Sequence, residues 1–383
     1  MRKKIVSVLC CGLLLLLAGC GGSGGGGGTG NNNGGGGGGV TPTPDPPSPP
    51  DITYYTNPVF EPVFADPTII RGDDGMFYAY ATSDTSRWDG ERKPLRTAFI
   101  PTIRSENLVD WEYVGDVFTS ATFPQWAKGR GLWAPDIVKI GDTYNLYYSA
   151  AKWANWEFSS VGVCTAPTPS GPWTDHGEIV SYQNTGVKQS IDSYTFVYEG
   201  GVYMIWGSYY GIFWIELSSD GLTIKPGAKA TQIGGTKDHC AYEGSWLIQH
   251  DDYWYLLVSY GNCCEGLNTN YYVQSYRATS PFGPYYGEDG KAMLGNDRGL
   301  GTNVIRNGPD FVGCGHNSMI KDDNGDDWIV YHAYDLTKSG TVEDTGTNRR
   351  ALCIDKIYWD GGWPHTKNHF ASGGETEAPY IEE

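Results

Sequence analysis

From about residue 54 onward, short runs of apolar and aromatic residues recur between clusters of Gly, Asp and Asn, and no stretch carries the spacing of a long amphipathic helix. Five segments share one order: a polar residue, an apolar strand, a turn, then an aromatic-rich strand. They run from Asp66-Pro67-Thr68-Ile69-Ile70 to Phe77-Tyr78-Ala79-Tyr80, from Asp136-Ile137-Val138 to Tyr144–Tyr148, from Asp192-Ser193-Tyr194 to Val202–Trp206, from Glu243-Gly244-Ser245-Trp246 to Tyr253–Val258, and from His316-Asn317-Ser318-Met319 to Trp328–Tyr331. Turns at Gly72–Gly75, Gly141-Asp142, Glu199–Gly201, Asp251-Asp252 and Asp323–Gly325 make each a hairpin. Further strand ends are marked by Arg104–Leu108 leading to Trp111, and by Gly171-Pro172-Trp173 and Gly283-Pro284-Tyr285. The leading polar residues recur at intervals of about 50 to 70 residues, which suits four-stranded blades with insertions. The pattern predicts an all-β fold, a five-bladed β-propeller spanning residues 51–383.

Inner strands of a propeller start in one ring at the channel mouth. Asp66, Asp136, Asp192, Glu243 and His316 are therefore expected to converge there, four acids and one histidine. The plainer alternative is that each caps a turn. Clustered carboxylates suit glycoside hydrolysis or calcium binding. Hydrolysis with inversion needs an acid for the departing oxygen and a base for water on the opposite face, the two carboxyls roughly 6.5–9.5 Å apart. Residues on different blades can meet that spacing. A third carboxylate nearby helps the acid keep its proton near neutral pH.

The N-terminus changes the picture of where this happens. Arg2, Lys3 and Lys4 precede a short apolar stretch closed by Leu17-Ala18-Gly19-Cys20. This reads as an export signal over residues 1–19, too short for a permanent membrane span. Its end resembles a bacterial lipobox, which makes Cys20 the lipidated first residue of an exported lipoprotein, held in the cell envelope at the periplasmic or outer face of the outer membrane. Residues 20–50 are Gly-, Asn- and Pro-rich and form a spacer with almost nothing to bury. Membrane contact is expected only through the lipid.

The net charge is −17, and no basic run follows the signal, which excludes nucleic acid as a partner. The chain holds 14 Trp and 27 Tyr, enough to pack sheets and still leave rings for stacking on sugars. Beyond Cys20 come Cys164, Cys240, Cys263, Cys264, Cys314 and Cys353, with no Cys-x-x-Cys zinc pair. Cys263 and Cys264 either bond to each other or stay free or separately paired.

Ala65-Asp66-Pro67, Trp133-Ala134-Pro135-Asp136, Ser190-Ile191-Asp192, Tyr242-Glu243-Gly244 and Asp360-Gly361-Gly362-Trp363-Pro364 together resemble glycoside hydrolase family 43, in order, across the whole domain. The resemblance implies a five-bladed propeller of inverting enzymes acting on arabinans and xylans. By it Asp66 is the general base, Glu243 the general acid, and Asp192 the residue that tunes the acid and orients substrate. Ser259–Thr269, with its Cys-Cys pair, is similar to a segment of endo-1,5-α-L-arabinanases, so arabinan and its oligosaccharides are the expected partners of a monomeric enzyme. Gly207-Ser208-Tyr209 resembles their substrate-contacting Gly-Ser-Phe, and Gln189 joins these as a substrate contact. His316 resembles a histidine that helps hold a metal, usually calcium, in the channel.

Several readings stay open. Trp133 either stacks on a sugar or plugs the sheet, and Asp136 either contacts substrate or accepts a structural hydrogen bond. Asn348–Leu352 lies where exo-acting xylosidases and arabinofuranosidases of the family carry a substrate-binding arginine, so an exo enzyme is the alternative. A propeller that binds glycan without cutting it is the rival from another class.

Overall fold

The computed structural model describes residues 53–382, apart from 89, 91–92 and 297. The export signal, Cys20 and the spacer over 20–50 lie outside the described residues.

The predicted blades are present. Blade one is built from Thr68–Arg71, Phe77–Tyr80, Phe99–Ser105 and Glu112–Phe118. Blade two comprises Gly131–Ile140, Thr143–Ala151, Ser160–Ala166 and Thr174–Ser181, and blade three Tyr194–Tyr198, Gly201–Trp206, Ile212–Leu217 and Thr231–Gly234. Blade four comprises Tyr242–His250, Tyr253–Tyr260, Tyr272–Ala278 and Thr302–Ile305. Blade five has the three strands Phe311–Lys321, Asp327–Asp335 and Ala351–Lys356. Every pairing within a blade is antiparallel, and the first two strands of each are joined by the short turns seen in the sequence.

Each blade is buried on both faces, which is why its strands carry apolar and aromatic residues on both sides of the pleat. The apolar clusters lie between neighbours: Ile69, Phe77 and Ala79 of blade one meet Trp328, Val330 and Leu352 of blade five, and Tyr147 and Val161 of blade two meet Met204 and Trp206 of blade three. Burial of this kind contributes about 25 cal/mol per Å² of apolar surface and holds the ring together.

The ring closes on blade five. Val59 donates its N–H to Leu352 O at 2.9 Å and Leu352 donates to Phe60 O at 2.8 Å, so the N-terminal segment covers the third strand of the last blade. Phe64 N–H then donates to Arg350 O at 2.7 Å, two residues before Asp66. A second pairing, Tyr54–Tyr55 with Thr376–Glu377, joins the two ends of the domain.

A repeated device sets the channel mouth. Asp66, Ala134, Asp192, Gly244 and His316 all have left-handed backbone, with φ of 55°, 39°, 59°, 57° and 50°. The N–H groups of four of them donate to a side chain of the preceding blade: Asp66 to His332 Nδ1, Ala134 to Thr82 Oγ1, Asp192 to Ser149 Oγ and His316 to Ser259 Oγ, at 2.7–3.0 Å. Such a conformation costs a non-glycine residue roughly 1–3 kcal/mol, and these interblade bonds hold it in place. In blades two, four and five the register shifts at this point, as at a β-bulge.

The bulges correct the expected ring. Asp136 is two residues past the left-handed position of blade two and matches Thr68 of blade one, not Asp66. Thr68 Oγ1 accepts the Ile137 N–H at 3.3 Å, and Asp136 Oδ2 accepts the Thr195 N–H at 2.6 Å, the same interblade bond one blade on. Asp136 is buried and is absent from the cleft lining, so it is a structural acceptor rather than a substrate contact. Burial pushes its carboxyl up to about 8, against the pull of the Thr195 amide.

Candidate active site

A cleft of about 790 Å³ opens over the channel mouth. Thr82, Ser83, Asp84, Trp133 and Trp153 of blades one and two line one wall. Tyr209, Tyr210, His239 and the 262–265 loop of blades three and four line the other. Asp66, Asp192, Glu243, His316 and Arg350 lie among the lining residues as well. The three expected acids are therefore brought together.

Asp66 sits among cations and donors. Arg350 Nη1 is 2.7 Å from its Oδ1, the Thr82 hydroxyl donates to Oδ2 at 2.5 Å, and His316 Nδ1 is 3.5 Å from Oδ1. Burial alone would raise the carboxyl, but the Arg350 charge and His316 outweigh it and hold Asp66 well below the usual carboxylate range. His332 contributes differently. Its Nδ1 accepts the Asp66 N–H, so the ring is neutral and its proton sits on Nε2, which has no partner among the described residues. Burial takes its pKa down to about 4, in keeping with a neutral ring.

Glu243 has the opposite surroundings. Ser208 donates to Oε2 and Tyr271 to Oε1, both at 2.8 Å, and among the described residues no Lys or Arg forms an ion pair with it. Burial raises its pKa; the two hydroxyls pull the other way, and the Asp66 charge raises it further. Asp192 is raised well above the carboxylate range, by burial first and then by Glu243 and Asp66. Asp192 and Glu243 therefore titrate as a pair that retains a proton where Asp66 is ionised.

Among the expected substrate contacts, Gln189, Ser208, Tyr209 and Trp133 line the cleft. Trp133 faces Trp153 edge-on at 6.3 Å, which places it on the wall rather than inside the sheet. Ser208 also donates the hydrogen bond to Glu243 Oε2. Gly207 is corrected: it is absent from the lining, and its role is steric. Its φ is 129°, and a Cβ there would lie 2.2 Å from Gly211 O, so only glycine lets the chain turn and present Ser208. Cys263 and Cys264 are bonded to each other.

His316, Asp192 and Glu243 offer three ligand atoms within 4.8 Å of one another. Two carboxylates supply oxygens of the kind a hard cation takes, and the imidazole is the less usual partner for calcium. Sequence reasoning missed Asp84, Trp153 and His239, which reach the cleft from loops without a repeat signature. It noted Arg350 only as part of a segment; here the guanidinium is paired with Asp66.

Residues 55–364 match the model of the glycosyl hydrolases family 43. The extracellular endo-α-(1→5)-L-arabinanase 1 of Bacillus subtilis is 29% identical over 308 residues, covering 78% of this chain and 86% of that protein. An extracellular exo-α-(1→5)-L-arabinofuranosidase of Cellvibrio japonicus is 30% identical, covering 68% and 78%. The structure of Cellvibrio cellulosa α-L-arabinanase complexed with arabinohexaose superposes with a TM-score of 0.68 at 26% identity, covering 80% of this chain and 96% of that one. With five blades, a mouth lined by three carboxylates and a family match that spans the propeller, this chain belongs to glycosyl hydrolase family 43.

Proposed function

We propose that the protein is an exported endo-acting arabinanase that cleaves α-1,5-linked L-arabinofuranosyl bonds with inversion. The observation that carries this reading is one cleft holding an ionised carboxylate, Asp66, and a proton-retaining pair, Glu243 and Asp192, on different blades. Asp66 draws the proton from a water molecule as it attacks the anomeric carbon. Glu243 gives the departing oxygen the proton that it shares with Asp192, since the two buried carboxyls cannot both be charged. Trp133 and Trp153 offer ring surfaces to furanose units, and Gln189 and Tyr209 offer hydrogen bonds.

Attack within the chain is supported by two opposed walls and by the endo-acting relative. The exo-acting relative supports the alternative, release of single arabinose units. The two readings separate on linear arabinan, where an endo enzyme first releases oligosaccharides and an exo enzyme releases only monosaccharide. Xylan and arabinoxylan run in parallel test the substrate. NMR of the first sugar formed should show the β anomer; initial α anomer would overturn the roles given to Asp66 and Glu243.

Export is supported by the extracellular relatives and the N-terminal signal. We extend the reading to lipidation of Cys20, which metabolic labelling with a fatty acid tests in wild type and Cys20→Ala, and to a monomer, which sedimentation tests. Calcium is the ion proposed at His316. Bound there, it would supply positive charge beside the carboxylates, while the imidazole holds its place.

A further inference from the structure

Cys263 and Cys264 are sequence neighbours joined by a disulfide, and both line the cleft, where they are partly exposed. Cys164, Cys314 and Cys353 are buried thiols within the blades. The oxidised pair is thus the sulfur surface that a substrate in the cleft can meet.

The loop that carries it is fixed on several sides. Asn262 N–H donates to Asn270 Oδ1 at 2.8 Å, the Thr269 hydroxyl to Asn262 O at 2.5 Å, and the Tyr334 hydroxyl to Cys263 O at 3.2 Å. The same loop is tied to the general acid by two routes. Tyr209 donates to Gly261 O at 3.1 Å and to Asn262 Oδ1 at 3.0 Å, and its neighbour Ser208 holds Glu243 Oε2. At the far end of the loop Tyr271 holds Glu243 Oε1. The disulfide therefore stands on the acid's side of the cleft. An acid protonates the oxygen of the departing unit, so the leaving portion of the chain occupies this side.

We infer that the Cys263–Cys264 disulfide forms the wall of a leaving-group subsite, a rigid apolar plate for the C–H face of a departing arabinofuranosyl unit. Asn262 and Glu265 sit at its rim with amide and carboxylate groups for the sugar hydroxyls, bonded to each other at 3.3 Å. The inference rests on the arabinan reading above. Two chemical facts favour it. Sulfur is polarizable and presents a soft apolar surface. Bonding adjacent residues closes a small ring and removes backbone freedom, so little is left to order when the sugar arrives. Two separate thiols in the same loop would be more polar and free to rotate.

The test compares wild type with the double variant C263S/C264S on end-labelled arabinohexaose. Wild type treated with a water-soluble phosphine is a third arm; the phosphine is oxidised to its oxide as the disulfide becomes two thiols. The expected result is a KM raised about tenfold, the size of one lost apolar sugar contact, with kcat within about twofold. The labelled products should show a changed cleavage position, and the alkaline limb of the pH profile should stay in place. Melting temperature checks the fold, and the reduced wild type carries the comparison if the serine variant fails to fold. Unchanged KM and products would overturn the inference. So would a fall in kcat with a moved alkaline limb, which would make the loop a positioning device for Glu243 alone. If wild type leaves arabinohexaose intact and cuts xylohexaose, the arabinan reading fails, and the same kinetics on xylohexaose decide the subsite.

Discussion

Asp66 and Glu243 are carboxylic acids buried to nearly the same extent, 7% and 8% exposed, and their neighbours drive them in opposite directions. On the blade-one side a guanidinium, a hydroxyl and an imidazole converge on the carboxylate. On the blade-four side two neutral hydroxyls hold the carboxyl, the Arg350 charge ranks last among the effects on it, and Asp192 adds repulsion to the shared site. The lesson is that burial alone assigns no role. It raises both groups, and the cation decides which one stays ionised.

The bluntest way to break this contrast is to remove either end of it. Asp66→Ala and Glu243→Ala should each lower turnover on arabinan by ~10²–10⁴, with the melting temperature little changed. Near-normal activity in Glu243→Ala would end the assignment.

Removing the cation should erase the asymmetry without touching either acid. In Arg350→Ala the Asp66 pKa should rise by about 1–3 units, the scale of an arginine–carboxylate contact. The acid limb of kcat/KM should then move to higher pH, and the alkaline limb should stay nearer its wild-type position. An unmoved acid limb would mean that Asp66 does not need Arg350 to stay ionised.

A bound cation would narrow the contrast, since positive charge near Asp192 and Glu243 favours their ionised forms as Arg350 favours that of Asp66. Exhaustive EDTA treatment should lower activity several-fold and melting temperature by a few degrees, both restored by calcium, and His316→Gln should respond to neither. If EDTA leaves the wild type unchanged and elemental analysis finds no metal, His316 only balances charge.

The smallest effect concerns the layer beneath the mouth. Asp136 has a folded pKa of about 8 against an ordinary value of 3.8, so its protonated form favours the fold. Its contribution is complete below about pH 4, declines as pH rises, and levels off above about pH 8. Asp136→Asn keeps an oxygen for the Thr195 amide and carries no such titration. Going from pH 5 to pH 8, wild type should lose a few degrees of melting temperature relative to the variant. Parallel curves for the two proteins would show that Asp136 does not bear this charge.

Much of this was legible in the sequence. The strands, turns and five repeats showed because sheets packed between sheets need apolar strands closed by Gly and Asp turns. Asp66, Asp192 and Glu243 showed because each begins such a repeat. The ring register did not show, because a bulge adds residues without changing the composition around it. Asp136 and Thr68 thus looked like members of different sets when they make the same interblade bond. Gly207 looked like a contact because it adjoins Ser208, and only the approach of Gly211 O reveals its steric duty. Trp153 and Asp84 gave no signal as site residues, since nothing in a loop sequence states which channel it overhangs, and Arg350 showed only as part of a segment with a substrate-binding arginine, not as the partner of Asp66.

The seam where the ring closes is also where the base acquires its cation. Asp66 emerges in the first repeat, and Arg350 arrives 284 positions later, carried on the strand edge that Val59, Phe60 and Phe64 grip. A nascent or truncated chain that ends before this edge would own all three acids and still lack the charge that sets one of them apart. If Asp66 is the base proposed above, competence for hydrolysis is in this sense a report on completion: it waits for the last blade, where the start of the propeller meets its closing strand.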